Sequence, residues 1–164
     1  MANILSVDQM DESWVATDIA TLVFVLRDDE VLLIRKKRGL GAGKINGPGG
    51  KLEAGETPRQ CALREVREEL CISVLNTTAC GELRFQFTDG YSIHVHVFTS
   101  TSFEGEPTET DEAVPIWYKR DDIPYGEMWA DDRIWLPSVL DGSTVTGKFV
   151  FSKDVMLSHE VLFG

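Results

Sequence analysis

Three carboxylates crowd one short stretch of this chain, Glu65, Glu68 and Glu69. The stretch reads as a helix over Pro58–Leu70. Thr57 can cap its start, Pro58 suits the first helical position, and Gln60 completes a capping box with Thr57. At about 100° per residue, Ala62, Leu63, Val66 and Leu70 share one arc and form the core stripe. The glutamates fall on another arc, away from that stripe. Helix neighbours at i,i+3 and i,i+4 face each other, so the three repel. Arg64 offsets part of this through Glu68, and Arg67 points elsewhere. The residues alone leave two readings: a solvated acidic face, or a site for a hard divalent cation whose preference for carboxylate oxygen relieves the repulsion.

The segment upstream bears on that choice. Residues 31–52 contain no Asp or Glu but six basic residues, Arg35, Lys36, Lys37, Arg38, Lys44 and Lys51, against −17 for the rest of the chain. The same window holds Gly39, Gly41, Gly43, Gly47, Gly49 and Gly50. Exposed backbone N–H groups and cations in one place suit a polyphosphate; a solvated strand end and a flexible loop would look similar. Metal-holding carboxylates beside a phosphate cradle imply phosphoryl or nucleotidyl chemistry.

The elements that must position these groups follow from apolar patterning. Residues 19–26 and 30–37 read as strands of a hairpin turning at Arg27-Asp28-Asp29. Further strands fall near 79–87, 93–100 and 114–118, and a second helix over 131–140 despite Pro137. Residues 144–151 and 155–162 close the chain as strand or irregular structure. This mixture predicts an α/β or α+β domain layered around one sheet. It would occupy residues 18–164, after an N-terminal extension over 1–17 read as a variable arm.

Composition narrows the class. With 43% hydrophobic and 26% charged residues among 164, the chain is expected to be globular rather than disordered. A net charge of −11 disfavours polymeric nucleic acid as a partner. It leaves room for a small anionic substrate if a metal and local cations handle the charge. The longest apolar run is too short to span a membrane, and residues 1–18, with four acidic residues and no Lys or Arg, do not resemble a signal peptide. Cys61, Cys71 and Cys80 lack zinc-type pairing and read as three buried or half-buried thiols in a reducing compartment. The expectation is a cytoplasmic monomer. His94 and His96 share one strand face; packing is favoured there over a metal pair, because magnesium prefers oxygen ligands. Trp14 and Trp117 read as packing residues.

Residues 50–72, Gly50-Lys-Leu-Glu-Ala-Gly-Glu56-Thr-Pro-Arg-Gln-Cys-Ala-Leu-Arg64-Glu65-Val66-Arg-Glu68-Glu69-Leu-Cys71-Ile72, resemble the signature box of the Nudix family. Every fixed position matches except Cys71, which stands where the family has a glycine free to adopt φ > 0. The resemblance implies the Nudix fold, a mixed β-sheet sandwiched between α-helices, and hydrolysis of a nucleoside diphosphate linked to another group. It also implies Mg²⁺ as cofactor, with Mn²⁺ as substitute. By that resemblance Glu65, Glu68 and Glu69 are metal-binding and catalytic, Glu56 is the upstream metal-site glutamate, and Arg64 orients the cluster. Gly49 and Gly50 sit where backbone meets metal or phosphate.

Residues 36–50 and 123–137 are further similar to the branch of that family acting on oxidised purine nucleoside triphosphates. The similarity implies a base pocket. Trp129 would stack on the purine, Asp131 and Asp132 would read its edge, and Asn46, Thr21, Phe85 and Phe87 would line it. Lys36 would stand near the sugar–phosphate side, and Glu112 would add a metal-side carboxylate. Ile45 and Pro48 replace family aromatics and are expected to alter the pocket wall. Two adjacent aspartates in a half-buried pocket do not easily both ionise, so one can hold a proton and the pair can donate and accept. Asp131 could equally be a helix cap. The function implied is hydrolysis of 8-oxo-dGTP-type nucleotides to monophosphate and pyrophosphate, sanitising the nucleotide pool. The alternatives are a Nudix pyrophosphatase for other purine nucleotides or dinucleotides, or an inactive binding module, which the intact acidic set disfavours.

Overall fold

The expected hairpin is present in the computed structural model, which describes residues 3–164. It pairs β1 (Asp18–Arg27) with β2 (Glu30–Lys36), Asp28 taking φ 55° at the turn. Next come β3 (Ile45–Asn46), α1 (Pro58–Leu70), β4 (Ser73–Leu75), β5 (Thr78–Phe87), β6 (Ser92–Ser100) and β7 (Ser102–Glu104). The chain ends with β8 (Ala113–Lys119), α2 (Asp132–Leu140), β9 (Val145–Ser152) and β10 (Val155–Phe163). One eight-stranded sheet runs β10-β9-β5-β6-β1-β2-β3, with β8 also paired to β2. It is mixed: β1–β6 and β5–β9 are parallel. β4 and β7 form a separate ribbon. Strands of two or three residues, such as β3, β4 and β7, are too short to show a period, which is why the sequence pattern passed over them.

Side chains alternate across the sheet, and each face carries its own core. Val23, Val25, Leu32 and Ile34 pack beneath Ala62, Val66 and Leu70 of α1. Phe24, Val31, Leu33 and Leu83 pack on the opposite face with Trp135, Leu136 and Val139 of α2. The mixed sheet between helices is therefore as expected. The segment before β1 is seated on the sheet: Val7 and Met10 bury against Val150, and the Trp14 indole donates to Gln86 Oε1 at 2.8 Å.

α1 has the expected bounds and both halves of its capping box. Its buried face is rotated from the expected stripe: Leu63 is 38% exposed, while Cys61 is fully buried. The cause lies outside the helix. The loop after β3 packs over Cys61, whose Sγ donates to the Gly50 carbonyl at 3.3 Å. Cys71 is exposed, against the expectation of a buried thiol, whereas Cys61 and Cys80 are buried. It is the C-cap of α1, at φ 62° and ψ 27°, and its N–H donates to Arg67 O at 2.9 Å. Cysteine thus occupies the left-handed position that a glycine would take without strain. No helix among the described residues is long and apolar enough to cross a membrane.

A left-handed residue with a Cβ costs about 1–2 kcal/mol, partly offset by the extra unfolded-state freedom of glycine. Cys71→Gly is therefore expected to raise unfolding stability by about 0.5–1 kcal/mol, read from the urea midpoint at unchanged m-value. A lowered midpoint would show that the thiol makes contacts outweighing the strain.

Candidate active site

α1 and the glycine loop meet at one carboxylate. Glu69 is 3% exposed, and its Oε1 accepts the Gly49 N–H at 2.8 Å. That approach needs glycine, because Gly49 has φ 152° and a Cβ there would run into the Thr21 carbonyl. A Cβ on Gly50 would likewise strike the Glu65 carboxyl. Glu112 arrives from the far side through the C-terminal end of α1: Thr110 Oγ1 donates to Glu69 O at 2.7 Å, and Glu112 N–H donates to Thr110 Oγ1 at 3.2 Å. One carboxylate oxygen each from Glu65, Glu69 and Glu112 lies within 4.8 Å of the others.

Burial pushes the Glu69 carboxyl up to about 8, with the Gly49 N–H opposing and the charges of Glu65 and Glu112 adding to the rise. Glu65 is raised too, by burial, against the pull of Arg64. Three converging carboxylates, with oxygen donors only, are a donor set that fits a hard divalent cation.

Arg64 organises the outer half of this cluster. Its Nε and Nη2 hold Glu56 at 2.6 and 2.9 Å, and its Nη1 bonds Glu65 at 2.9 Å and Glu68 at 3.1 Å. The bidentate pair holds the Glu56 carboxyl down at about 2. Glu56 and the exposed Glu68 thus bond Arg64 beside the converging trio. Arg67 points away, to Ser73 Oγ at 2.6 Å.

Beyond Glu69 opens a cavity of about 240 Å³. The ten residues expected to bind substrate line it: Thr21, Lys36, Asn46, Gly49, Gly50, Phe85, Phe87, Trp129, Asp131 and Asp132. Trp129 stands edge-on to Phe87 and Phe151, and Lys44 Nζ lies 5.2 Å from its ring centre. Asn46 Oδ1 accepts from Gly47 N–H at 2.9 Å. Lys36 Nζ donates to Leu40 O at 2.8 Å, and burial lowers its pKa.

Asp131 and Asp132 are 2% and 3% exposed. Asp131 does not cap α2 with its side chain; its Oδ2 accepts the Trp135 indole N–H at 2.8 Å. Asp131 Oδ1 and Asp132 Oδ2 are buried without a hydrogen-bond partner. Burial raises Asp131 to about 6, and raises Asp132 well above the ordinary carboxylate range, with the charge of Asp131 adding to the rise. Burial and the mutual repulsion of the two carboxyls favour the pair holding one proton between them.

Two expectations fail here. Ile45 and Pro48 do not line the cavity: Ile45 is buried in the α2-side core, and the Pro48 carbonyl accepts Val23 N–H at 2.8 Å. Neither replacement reshapes the pocket wall directly. Conversely, Tyr91 and Lys51 line the cavity and were not anticipated. Tyr91 OH donates to Asp18 Oδ2 at 2.9 Å, and Lys51 Nζ reaches the same oxygen at 3.2 Å. Three strands' worth of pairing brings those residues together, and no local spacing signals it.

The buried pair fixes a pH dependence. A carboxyl whose folded pKa is raised binds more protons folded than unfolded, so its contribution to stability falls as pH rises from the unfolded value through the folded one. For Asp131 that window runs from 3.8 to about 6, and for Asp132 it extends higher. Asp132→Asn is therefore expected to gain melting temperature relative to the parent as pH rises from about 5 to about 8. A difference constant across that range would mean the carboxyl is not held neutral.

The NUDIX domain model matches residues 16–139. The chain is 43% identical over 145 residues to the oxidized purine nucleoside triphosphate hydrolase of Danio rerio, covering 87% of this chain and 93% of that protein. It is 41% identical over 143 residues to the mouse protein of the same name, covering 86% and 92%. The crystal structure of the MutT protein from Bacillus halodurans superposes with a TM-score of 0.77 at 30% identity, covering 88% of this chain and 97% of that one. Family model, full-length relatives and superposed fold agree with the acid-bearing helix and its glycine loop: the chain belongs to the Nudix hydrolase family.

Proposed function

We propose that this chain hydrolyses oxidised purine nucleoside triphosphates of the 8-oxo-dGTP type to the monophosphate and pyrophosphate, using Mg²⁺, with Mn²⁺ as a substitute. The observation that carries the reading is the pair of buried, unpartnered oxygens of Asp131 and Asp132 in an aromatic-walled cavity that also contains Glu69. The names of the zebrafish and mouse relatives support it.

The chain's own groups divide the work. Trp129 supplies a plane on which any purine can stack. Asp131 and Asp132, sharing one proton, donate and accept together and so recognise a purine edge that both offers and takes hydrogen bonds. Asn46, Thr21, Phe85 and Phe87 shape the base pocket, and Lys36 lies toward the phosphates. Glu65, Glu69 and Glu112 hold the cation, Glu68 and Glu56 complete the acidic site around them, and Arg64 keeps Glu65 in place. Gly49 and Gly50 let the backbone approach these carboxylates. A bound divalent cation supplies positive charge to the phosphates and lowers the pKa of the attacking water. We place this activity in residues 18–164, with residues 1–17 as an extension, in a cytoplasmic monomer; the free thiols suit a reducing compartment.

The test is kcat/KM across guanine and adenine triphosphates, oxidised and unoxidised. An oxidised purine triphosphate is expected to rank first, with pyrophosphate released and activity abolished by excess chelator. Asp132→Asn is expected to lose about ten- to two-hundredfold on the preferred base, because an amide cannot trade a proton with its neighbour. Trp129→Ala is expected to lose a similar factor on every purine. A dinucleotide or an unmodified nucleotide as best substrate would replace this reading with another Nudix pyrophosphatase, and no turnover of any of them would leave a binding module.

A further inference from the structure

The face of β6 opposite the cavity carries a second cluster. Val95 lines the cavity, so the alternation of the strand sends His94 and His96 to the α1 side. α1 covers β1 and β2 on that side, and the N-terminal segment covers Val150 of β9. β5 and β6 lie between them in the sheet. Glu82 of β5 stands directly opposite His96 in the antiparallel register.

The geometry points to a second cation site, formed by Glu82, His94 and His96 and suited to a borderline divalent ion of the zinc class. His94 Nε2 lies 2.8 Å from Glu82 Oε1, and His96 Nδ1 lies 3.9 Å from the same oxygen. The imidazoles stack with centres 4.7 Å apart, and one ligand atom from each of the three residues falls within 4.8 Å of the others. A tetrahedral zinc with bonds of about 2.0–2.2 Å sets its ligand atoms roughly 3.3 Å apart. The two separations from Glu82 bracket that value. Two imidazoles and one carboxylate favour zinc over magnesium, and three protein ligands leave a fourth position for water. The side chains are 19%, 25% and 45% exposed for His94, His96 and Glu82, so an ion can enter from solvent.

Glu82 Oε1 has one hydrogen-bond partner, His94, while His96 Nδ1 stands at 3.9 Å and Arg84 Nη2 at 4.0 Å from the same oxygen. Arg84 is the charge an incoming cation must displace. Its removal is expected to tighten binding, whereas removal of a cation from a merely structural ion-pair cluster would not create metal affinity. The site is chemically distinct from the oxygen-only trio of Glu65, Glu69 and Glu112.

The test is calorimetric titration of the full chain with Zn²⁺ in excess Mg²⁺, which saturates the carboxylate trio. Zinc uptake that is weakened about tenfold or more by His94→Ala and by His96→Ala, left intact by Glu65→Gln and strengthened by Arg84→Gln is the expected result. Side-chain ¹⁵N shifts in the unmutated protein keep the test decisive should a histidine variant fold poorly. Zinc is expected to move the His94 and His96 signals and leave His159 in place. Unmoved histidine signals, or variants that bind zinc as the parent does, would overturn the assignment.

Discussion

Burying carboxyl groups is expensive, and this molecule does it three times in one place. Glu69, Asp131 and Asp132 are the buried acidic side chains among the described residues, and all three line the same cavity. A carboxylate withdrawn from water loses several kcal/mol of hydration unless charge and hydrogen bonds replace it. Here the replacement is incomplete. Glu69 has one backbone N–H, Asp131 one indole N–H, and two aspartate oxygens have no partner. All three groups respond by holding protons above the usual carboxylate range. The rest of the fold supplies the stability that this cavity forgoes.

The sheet separates the two duties of the site. On one face, α1 is fixed by its capping box and by Val66 and Leu70, so the register that buries its apolar stripe also delivers Glu65 and Glu69 to the glycine loop. On the other, Trp135 and Leu136 anchor α2 in a separate core, and the turn before it presents Trp129, Asp131 and Asp132. The loop between β3 and α1 joins them. Its glycines bring backbone against side chain where a Cβ would block contact, and the Pro48 and Gly50 carbonyls accept from Val23 and Thr21 of β1. The converging carboxylates and the buried aspartate pair are thereby held by different helices and tied by one loop.

Much of this was legible in the sequence because the determinants are local. Thr57, Pro58 and Gln60 mark the start of α1, and a fixed run of residues carries its acids. The misreadings share one physical cause: contacts between elements distant in the chain. Leu63 and Cys61 exchanged places because a loop, invisible to helical periodicity, covers one side of α1. Asp131 gave up its cap role because Trp135, one turn later, offers a buried donor. Ile45 faces a core rather than the pocket because β3 pairs with β2. Glu112 reaches Glu65 and Glu69 through Thr110 at the end of α1, and Glu82 meets His94 and His96 only through the β5–β6 register. Cys71, by contrast, changes a residue without changing the turn: the helix still ends in a left-handed cap, at a conformational cost.

The central claim is that one cavity joins a cation held by Glu65, Glu69 and Glu112 to a purine edge read by Asp131 and Asp132. A crystal structure of the chain with Mn²⁺ and the oxidised-guanine monophosphate tests it most directly, because the anomalous signal of manganese locates the cation independently of the nucleotide. The account predicts an anomalous peak among those three glutamates and a base stacked at Trp129, with its edge within hydrogen-bond distance of Asp131 Oδ1 and Asp132 Oδ2. A peak elsewhere, or a base turned away from the two aspartates, would contradict it.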